Sequence, residues 1–241
     1  MTWLDKSEQE VTESLDMAER IGSSLSEMHC CVDLSQTALA RNDLTRAEKC
    51  AKRATDIAQR LGTERFRARA LHFHAQALLA MNQREKAQTM LEEAIQLSRK
   101  TGPAYCGAGI IGAMVLAEQD PARRRRLIEE GESLLDQGAV AHNYLDFYQG
   151  VIEAGLERRD WKQAEHYAHL LEQFFSPEPL PLTDYVSARG RALSGFGRGQ
   201  RDDGLKHQLE RLRAQAREAG LMLGLPAIED ALQNWRKDAT G

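Results

Sequence analysis

The sequence predicts an all-α protein, a stack of helix hairpins repeating at a spacing close to 40 residues, and three observations carry this. Glycines stand in phase at Gly22, Gly62 and Gly102, each closing a helical stretch, and Gly138 falls near the next beat. Glycine just past a helix end takes a left-handed conformation that strains other residues. Small residues also recur at i, i+4 and i+7: Ala47, Ala51 and Ala54, then Ala87, Leu91 and Ala94, then Ala164, Ala168 and Leu171. Finally, the sustained apolar–polar alternation of half-buried strands is almost absent.

Residues 1–22 read as the second helix of a pair whose first helix is missing. The apolar face of this segment (Trp3, Leu4, Val11, Leu15, Ile21) has no upstream partner, as expected of a fragment or a truncated relative of a larger protein. Four hairpins follow, with first helices over 28–41, 68–81, 105–118 and 145–158. Short polar turns join each to its second helix: Asn42-Asp43, Asn82-Gln83, Gln119-Asp120-Pro121 and Arg159-Asp160. The third hairpin fits least well, with Arg124, Ile128 and Gly131 where the others carry small or apolar residues. Its second helix nevertheless has a sound start, Asp120 as N-cap and Pro121 at N1. The run Ser176-Pro177-Glu178-Pro179-Leu180-Pro181 cannot be helical throughout and reads as a stiff extended link. It divides residues 1–175 from a C-terminal part of the same solenoid, 176–241. That part holds a fifth pair, 184–195 and 204–219, stopped by Gly220, then a capping helix over 226–235; Lys237 to Gly241 are expected to fray.

Composition excludes several classes. The chain of 241 residues has a net charge of −4 and a pI near 6.0, so no global field draws it to nucleic acid or to an acidic membrane. The longest apolar run, 108–117, falls short of the about 20 residues a membrane span needs. Met1-Thr2-Trp3-Leu4-Asp5-Lys6 has none of the features of a signal peptide, and a cytoplasmic location is the expectation. Cys30, Cys31, Cys50 and Cys106 form no C-x-x-C; they read as small buried apolar side chains, with a redox-active Cys30-Cys31 pair as the alternative.

Motifs with possible chemistry have simpler explanations. Gly107-Ala108-Gly109-Ile110-Ile111-Gly112 matches G-x-G-x-x-G, but a dinucleotide site needs a strand before it, and Lys100-Thr101-Gly102-Pro103 is none. Arg123 to Arg126 form the sharpest charge cluster; Glu129 and Glu130 follow at i, i+4 from Arg125 and Arg126 and are expected to pair with them on a solvated face. His72/His74 and His166/His169 lack the converging third and fourth ligands of a metal site. No nucleophile–base arrangement can be singled out. No catalytic, cofactor-binding or metal-binding residue is assigned, and no cofactor is expected.

The hairpins resemble tetratricopeptide repeats. That family wants a small residue in the middle of the first helix, here Ser35, Ala75, Gly112 and Ala192 with Ile152 as a departure, and small residues along the second. Helices crossing at ~8–10 Å leave no room for more. The period exceeds the family's usual 34 residues and is similar to that of large bacterial signal-transduction ATPases. A narrower resemblance covers about 100–232, through Leu127-Ile128-Glu129-Glu130-Gly131-Glu132-Ser133-Leu134-Leu135, His142-Asn143-Tyr144-Leu145-Asp146-Phe147-Tyr148, Asp160-Trp161-Lys162-Gln163-Ala164-Glu165, Pro177-Glu178-Pro179-Leu180-Pro181 and Ala188-Arg189-Gly190-Arg191-Ala192-Leu193. It is similar to the C-terminal repeats of bacterial proteins carrying a class III adenylate/guanylate cyclase and an ATPase. The resemblance implies a regulatory tail; the cyclase and ATPase modules are absent from this chain.

The expected object is an α-solenoid of about four and a half to five helix pairs, a right-handed superhelix with first helices lining the concave face. Groove positions are then His29, Val32 and Gln36; Arg69, His72, Phe73, Gln76 and Leu79; and Asp146, Gln149 and Glu153. One aromatic ring among amides and both charge signs suits a protein or peptide segment better than a nucleic acid strand. The leading expectation is a non-catalytic interaction module. A scaffold self-associating through its N-terminal helix is the alternative, and an enzyme with a site in the groove comes last.

Overall fold

The computed structural model describes residues 2–238. Among the described residues the secondary structure is helical throughout: α1 (Trp3–Ile21), α2 (Ser24–Ala40), α3 (Leu44–Leu61), α4 (Glu64–Ala80), α5 (Arg84–Thr101), α6 (Gly107–Ala117), α7 (Pro121–Asp136), α8 (His142–Glu157), α9 (Trp161–Phe175), α10 (Pro181–Gly197), α11 (Asp203–Ala219) and α12 (Leu225–Asp238). The all-α solenoid is as the sequence predicts, but several first helices begin a turn earlier: α4 at Glu64, α8 at His142 and α10 at Pro181. Lys237 belongs to α12; residues 239–241, the rest of the expected frayed end, lie outside the described residues.

Side-chain caps set the helix starts. Ser23, Asp43, Asp120, Asp160 and Asp202 each accept a backbone N–H in the first turn of the following helix, each worth about 0.5–2 kcal/mol. Gly22 and Gly62 close α1 and α3 in the left-handed region, at φ 71° and 66°, and Gly102 (φ 105°) closes α5. The turns inside the hairpins repeat as well. Asn42, Asn82 and Arg159 sit at φ 62°, 59° and 59°. The next residue then donates back to the helix it has left: Asp43 to Ala38, Gln83 to Leu78, Asp160 to Gly155. This is the six-to-one bond of a Schellman cap.

The third hairpin departs from this rule, as its weak sequence match suggested. No left-handed residue ends α6. Instead Arg84 and Arg158 donate to Leu116 O, Gln88 to Ala117 O, and Arg124 and Arg158 to Glu118 O. Cationic side chains satisfy the orphan carbonyls and complement the helix dipole there. The arginine cluster is therefore structural at Arg124, and Arg123 bridges Glu92 (2.9 Å) and Glu118 (3.1 Å). The expected i, i+4 pairing is not what forms, because Glu130 turns to Arg99 on α5 (2.6 Å); Arg125 and Arg126 are exposed.

Successive first helices pack on one another, α2 on α4, α4 on α6, α6 on α8 and α8 on α10, while second helices pack chiefly on first helices. The first helices thus form the inner wall. Small residues allow this: Ser35 is buried and donates to Ala47 O at 2.8 Å, and Gly155 lies where a Cβ would be 2.9 Å from Ala164 N. Gly155, rather than Ile152, fills the small slot of the fourth hairpin. The G-x-G-x-x-G run lies within α6, and Gly112 meets not α7 but the backbone of α8, where a Cβ would be 2.6 Å from Phe147 Cα. Its counterpart Gly150 would meet Gly112 O at 2.3 Å. Asn143, fully buried, sets this crossing: Oδ1 accepts from Gly109 N, and Nδ2 donates to the carbonyls of Ala104, Tyr105 and Val140.

One apolar cluster runs from Ala68 to Trp235, across the proline-rich junction. That junction is less extended than expected. Glu178 N bonds Phe175 O, so the chain turns first, and Pro181 already opens α10. The far end of the solenoid returns to its beginning. Met222 N and Leu223 N both donate to Ala40 O (2.7 and 3.0 Å), and Gly220 lies against Leu4 and Thr2. Of the apolar face expected to lack a partner, Leu4 is buried, Val11 and Leu15 are half-buried with Leu15 packed on the cluster around Met28 and Val32, and Trp3 and Ile21 are 64% and 68% exposed. No described helix is long and apolar enough to cross a membrane.

Candidate functional site

The inner wall is centred on Arg69, midway along α4. Arg65 precedes it by one turn and is exposed. Both guanidinium groups flank the same ring: Arg65 Cζ is 4.3 Å and Arg69 Cζ 5.9 Å from the centre of Tyr105, which stands just before α6. Arg69 also reaches over Phe73 (5.0 Å) and donates to His142 Nε2 at the start of α8 (3.4 Å). Its Nε is buried without a partner. Around the two arginines runs a ladder of rings in edge-to-face contact, His29–Phe66, Phe66–Tyr105 and Tyr105–His142, at 5.4, 6.2 and 5.9 Å. Four helices, or the turn before one, contribute to it. Beside the Arg65–Tyr105 pair lies a cavity of about 300 Å³, lined also by Pro103, Ala104, Leu134 and Gln137.

Among the described residues neither Arg65 nor Arg69 makes an ion pair with a carboxylate. Those that sense Arg69 are Asp33 on α2 and Asp146 on α8. Burial pushes the Asp146 carboxyl up to about 7, with Arg69 pulling it down. Asp33 is raised in the same way, and there Arg69 and His29 pull it down. Carboxyls that lose water hold their protons more tightly; Asp146 is half-buried, whereas Asp33 keeps an exposed surface. The histidines move the opposite way: burial and the positive Arg69 lower His29 and His142, and burial takes His72 down to about 3. The site is therefore a cationic pair among neutral imidazoles and reluctant carboxylates.

Of the residues assigned to the groove from sequence, His29, Gln36, Arg69, Leu79, Asp146 and Gln149 are half-buried on the first helices, and His29, Arg69 and Asp146 share the cluster just described. Three assignments are corrected. Val32, His72 and Phe73 are buried, at 0%, 1% and 3% exposure, because first helices pack side by side and these positions face the neighbouring helix. Gln76 is occupied in part, donating to His72 Nε2 at 3.1 Å. Glu153 is tied to Arg189 of α10 at 2.5 Å.

Sequence reasoning missed Asp33, Arg65, Phe66, Tyr105, His142 and Arg189. Arg65, Phe66 and His142 fall in the helical turns that were assigned to loops. The usable signal was Glu64, an acidic residue in the first turn just after Thr63, from which the row 65, 69, 72, 76 follows. Tyr105, expected to open the first helix of the third hairpin, lies instead in the turn before α6, which starts only at Gly107. Of the histidines read as lacking further ligands, His72 and His74 are buried on α4, and His166 and His169 lie on α9. No three His, Cys, Asp or Glu side chains converge as metal ligands among the described residues.

Residues 68–101, most of α4 and all of α5, match the model of the tetratricopeptide repeat. No curated protein matches the sequence. Among solved structures, the chain is similar to a Rap protein complexed with Competence and Sporulation Factor, at a TM-score of 0.67 and 12% identity over 98% of this chain and 71% of that one. The similarity to BtubC (BKLC) from P. vanneervenii is weaker, at a TM-score of 0.43 and 16% identity over 100% of this chain and 94% of that one. At such identities the first likeness is one of fold.

Proposed function

We propose that this chain is a non-catalytic interaction module that holds an extended polypeptide segment against the inner wall formed by α2, α4, α6 and α8. The observation that carries the reading is the Arg65–Arg69 pair. Like charges one turn apart on a helix repel, neither has a carboxylate within ion-pair distance, and the Arg69 Nε is buried without an acceptor. Buried donors left unmet are costly, so an arrangement of this kind favours a ligand that brings the acceptor. The surrounding rings, amides and carboxyls suit the mixed polarity of a polypeptide. The Rap protein, similar in fold, is itself complexed with another factor, which supports the same use of this architecture.

An array of immobilised peptides, followed by calorimetry on the sequences captured, tests the reading. Arg69→Ala should weaken binding at least about tenfold, the loss of a charge-assisted hydrogen bond, and Arg125→Ala on α7 should leave it unchanged. Equal effects of the two would refute it. The finer assignment, a regulatory tail of a cyclase–ATPase signalling protein, is supported by the resemblance of residues 100–232; coding sequence for those modules upstream of Met1 would be its test. Self-association is a second reading, favoured by Trp3, Met17 and Ile21, 64%, 52% and 68% exposed on α1. Sedimentation showing a monomer at micromolar concentration would remove it.

A further inference from the structure

We propose that loop 220–224 is a latch joining the two ends of the solenoid, held shut from the concave face by Glu153 through Arg189. This inference rests on the proposed function only where it names what opens the latch. The contacts form a continuous series. Glu153 lies on α8 two turns beyond Asp146 and is partly exposed; its carboxylate accepts from Arg189 Nη1 at 2.5 Å. Arg189 is 7% exposed and donates through Nε to Gly224 O at 3.1 Å. Two residues back, Met222 N and Leu223 N donate to Ala40 O, the last carbonyl of α2. Gly220, at the start of the loop, lies beside the start of α1, where a Cβ would be 3.4 Å from Leu4 Cδ1 and 3.5 Å from the Thr2 hydroxyl.

Each link depends on the one before. Arg189 is almost completely buried, so its charge depends on Glu153 for compensation; without it the guanidinium is drawn towards water and away from Gly224. Gly224 has no side chain in the way: a Cβ there would lie 2.9 Å from Arg189 Nε and 3.3 Å from Cζ. Ala40 O is an orphan carbonyl at a helix C-terminus, and solvent can replace the two N–H groups that satisfy it. Closure therefore rests on two backbone hydrogen bonds and the packing of Leu4. A small perturbation at Arg189 is enough to open it. The agent fitted to do so is a cationic group of a bound segment, an arginine or lysine side chain, that takes the Glu153 carboxylate in place of Arg189.

Hydrogen exchange with mass spectrometry on the full chain tests this, following peptides that cover 220–226 and, as a control, α4 and α5. In Glu153→Gln, the amides of Met222 and Leu223 should exchange about tenfold faster, the loss of one charge-assisted hydrogen bond, with the control helices unchanged. Gly224→Ala should do the same without altering any charge. Hexa-arginine, as the probe, should speed exchange at 222–223 in the wild type and have no effect in Glu153→Gln. Unchanged exchange in Glu153→Gln and Gly224→Ala overturns the latch, whatever binds the groove. Faster exchange in both variants with no response to hexa-arginine overturns control by a cationic ligand. Loss of captured-peptide binding in Arg69→Ala is scored separately, so failure of the latch and failure of the binding reading remain distinct.

Discussion

Gly150→Ala should be among the most damaging single-methyl additions in this protein. A Cβ at position 150 would stand 2.3 Å from Gly112 O, 2.5 Å from Gly112 C and 3.0 Å from Gly112 Cα. Every one of those atoms is backbone, so no side chain can swing aside, and α6 and α8 must separate by about 1 Å to restore ordinary contact. Both helices are fixed nearby, α8 through the four hydrogen bonds of Asn143 and α6 through the arginines on its last carbonyls. Overpacking costs ~1–3 kcal/mol, and backbone against backbone belongs at the upper end. Alanine returns up to ~1 kcal/mol of helix propensity, so the net loss should be about 2 kcal/mol. For a chain of this size that lowers Tm by roughly 4–8 °C. Urea unfolding followed by circular dichroism measures it directly. Gly204→Ala is the control, because a Cβ there meets only the Asp202 carboxylate, at 3.0 Å; it should be neutral or mildly stabilising. A Gly150→Ala loss below about 0.5 kcal/mol would refute the claim that contact between the α6 and α8 backbones sets the inner wall.

Other consequences can be checked independently. Arg159 is exposed and holds φ 59°, a conformation that asparagine tolerates better; Arg159→Asn should stabilise by ~0.5–1 kcal/mol in the same urea assay. Asp146, raised to about 7 by burial, should favour the folded state fully below its ordinary value of 3.8 and lose that contribution as pH climbs to about 7; Asp146→Asn should flatten the stability–pH curve over that window, by a few kcal/mol at most. His72 acts in the other direction: lowered to about 3, it stays neutral, and stability falls as pH drops below 6.5. Nitrogen chemical shifts should show a neutral His72 imidazole at pH 5. Cys31 and Cys106 are buried, with their thiols raised to about 12 and about 11, chiefly by burial; a thiol reagent should reach them only when urea unfolds the chain.

The sequence by itself determined the repeat. Glycines at 22, 62 and 102, the polar turns at 42–43, 82–83 and 159–160, and the alanine rows are local rules of helix ending and close approach, each readable within a window of a few turns. It also determined that the third hairpin would be irregular, from Arg124, Ile128 and Gly131. Only the tertiary structure decided what that irregularity does. Arg84 and Arg158, far apart in the chain, cap α6, and the glycines of an apparent nucleotide motif press against α8 instead of their own hairpin partner. The Arg69 cluster was half legible: His29, Arg69 and Asp146 come together, but Val32, His72 and Phe73 turn sideways into neighbouring helices, Tyr105 enters from the turn before α6, and His142 from the first residue of α8. Which side of a helix faces a groove and which faces a neighbour depends on the crossing of whole helices. So does the return of Met222 and Leu223 to Ala40, because small rotations between units add up along the stack, and no local window of sequence records their sum.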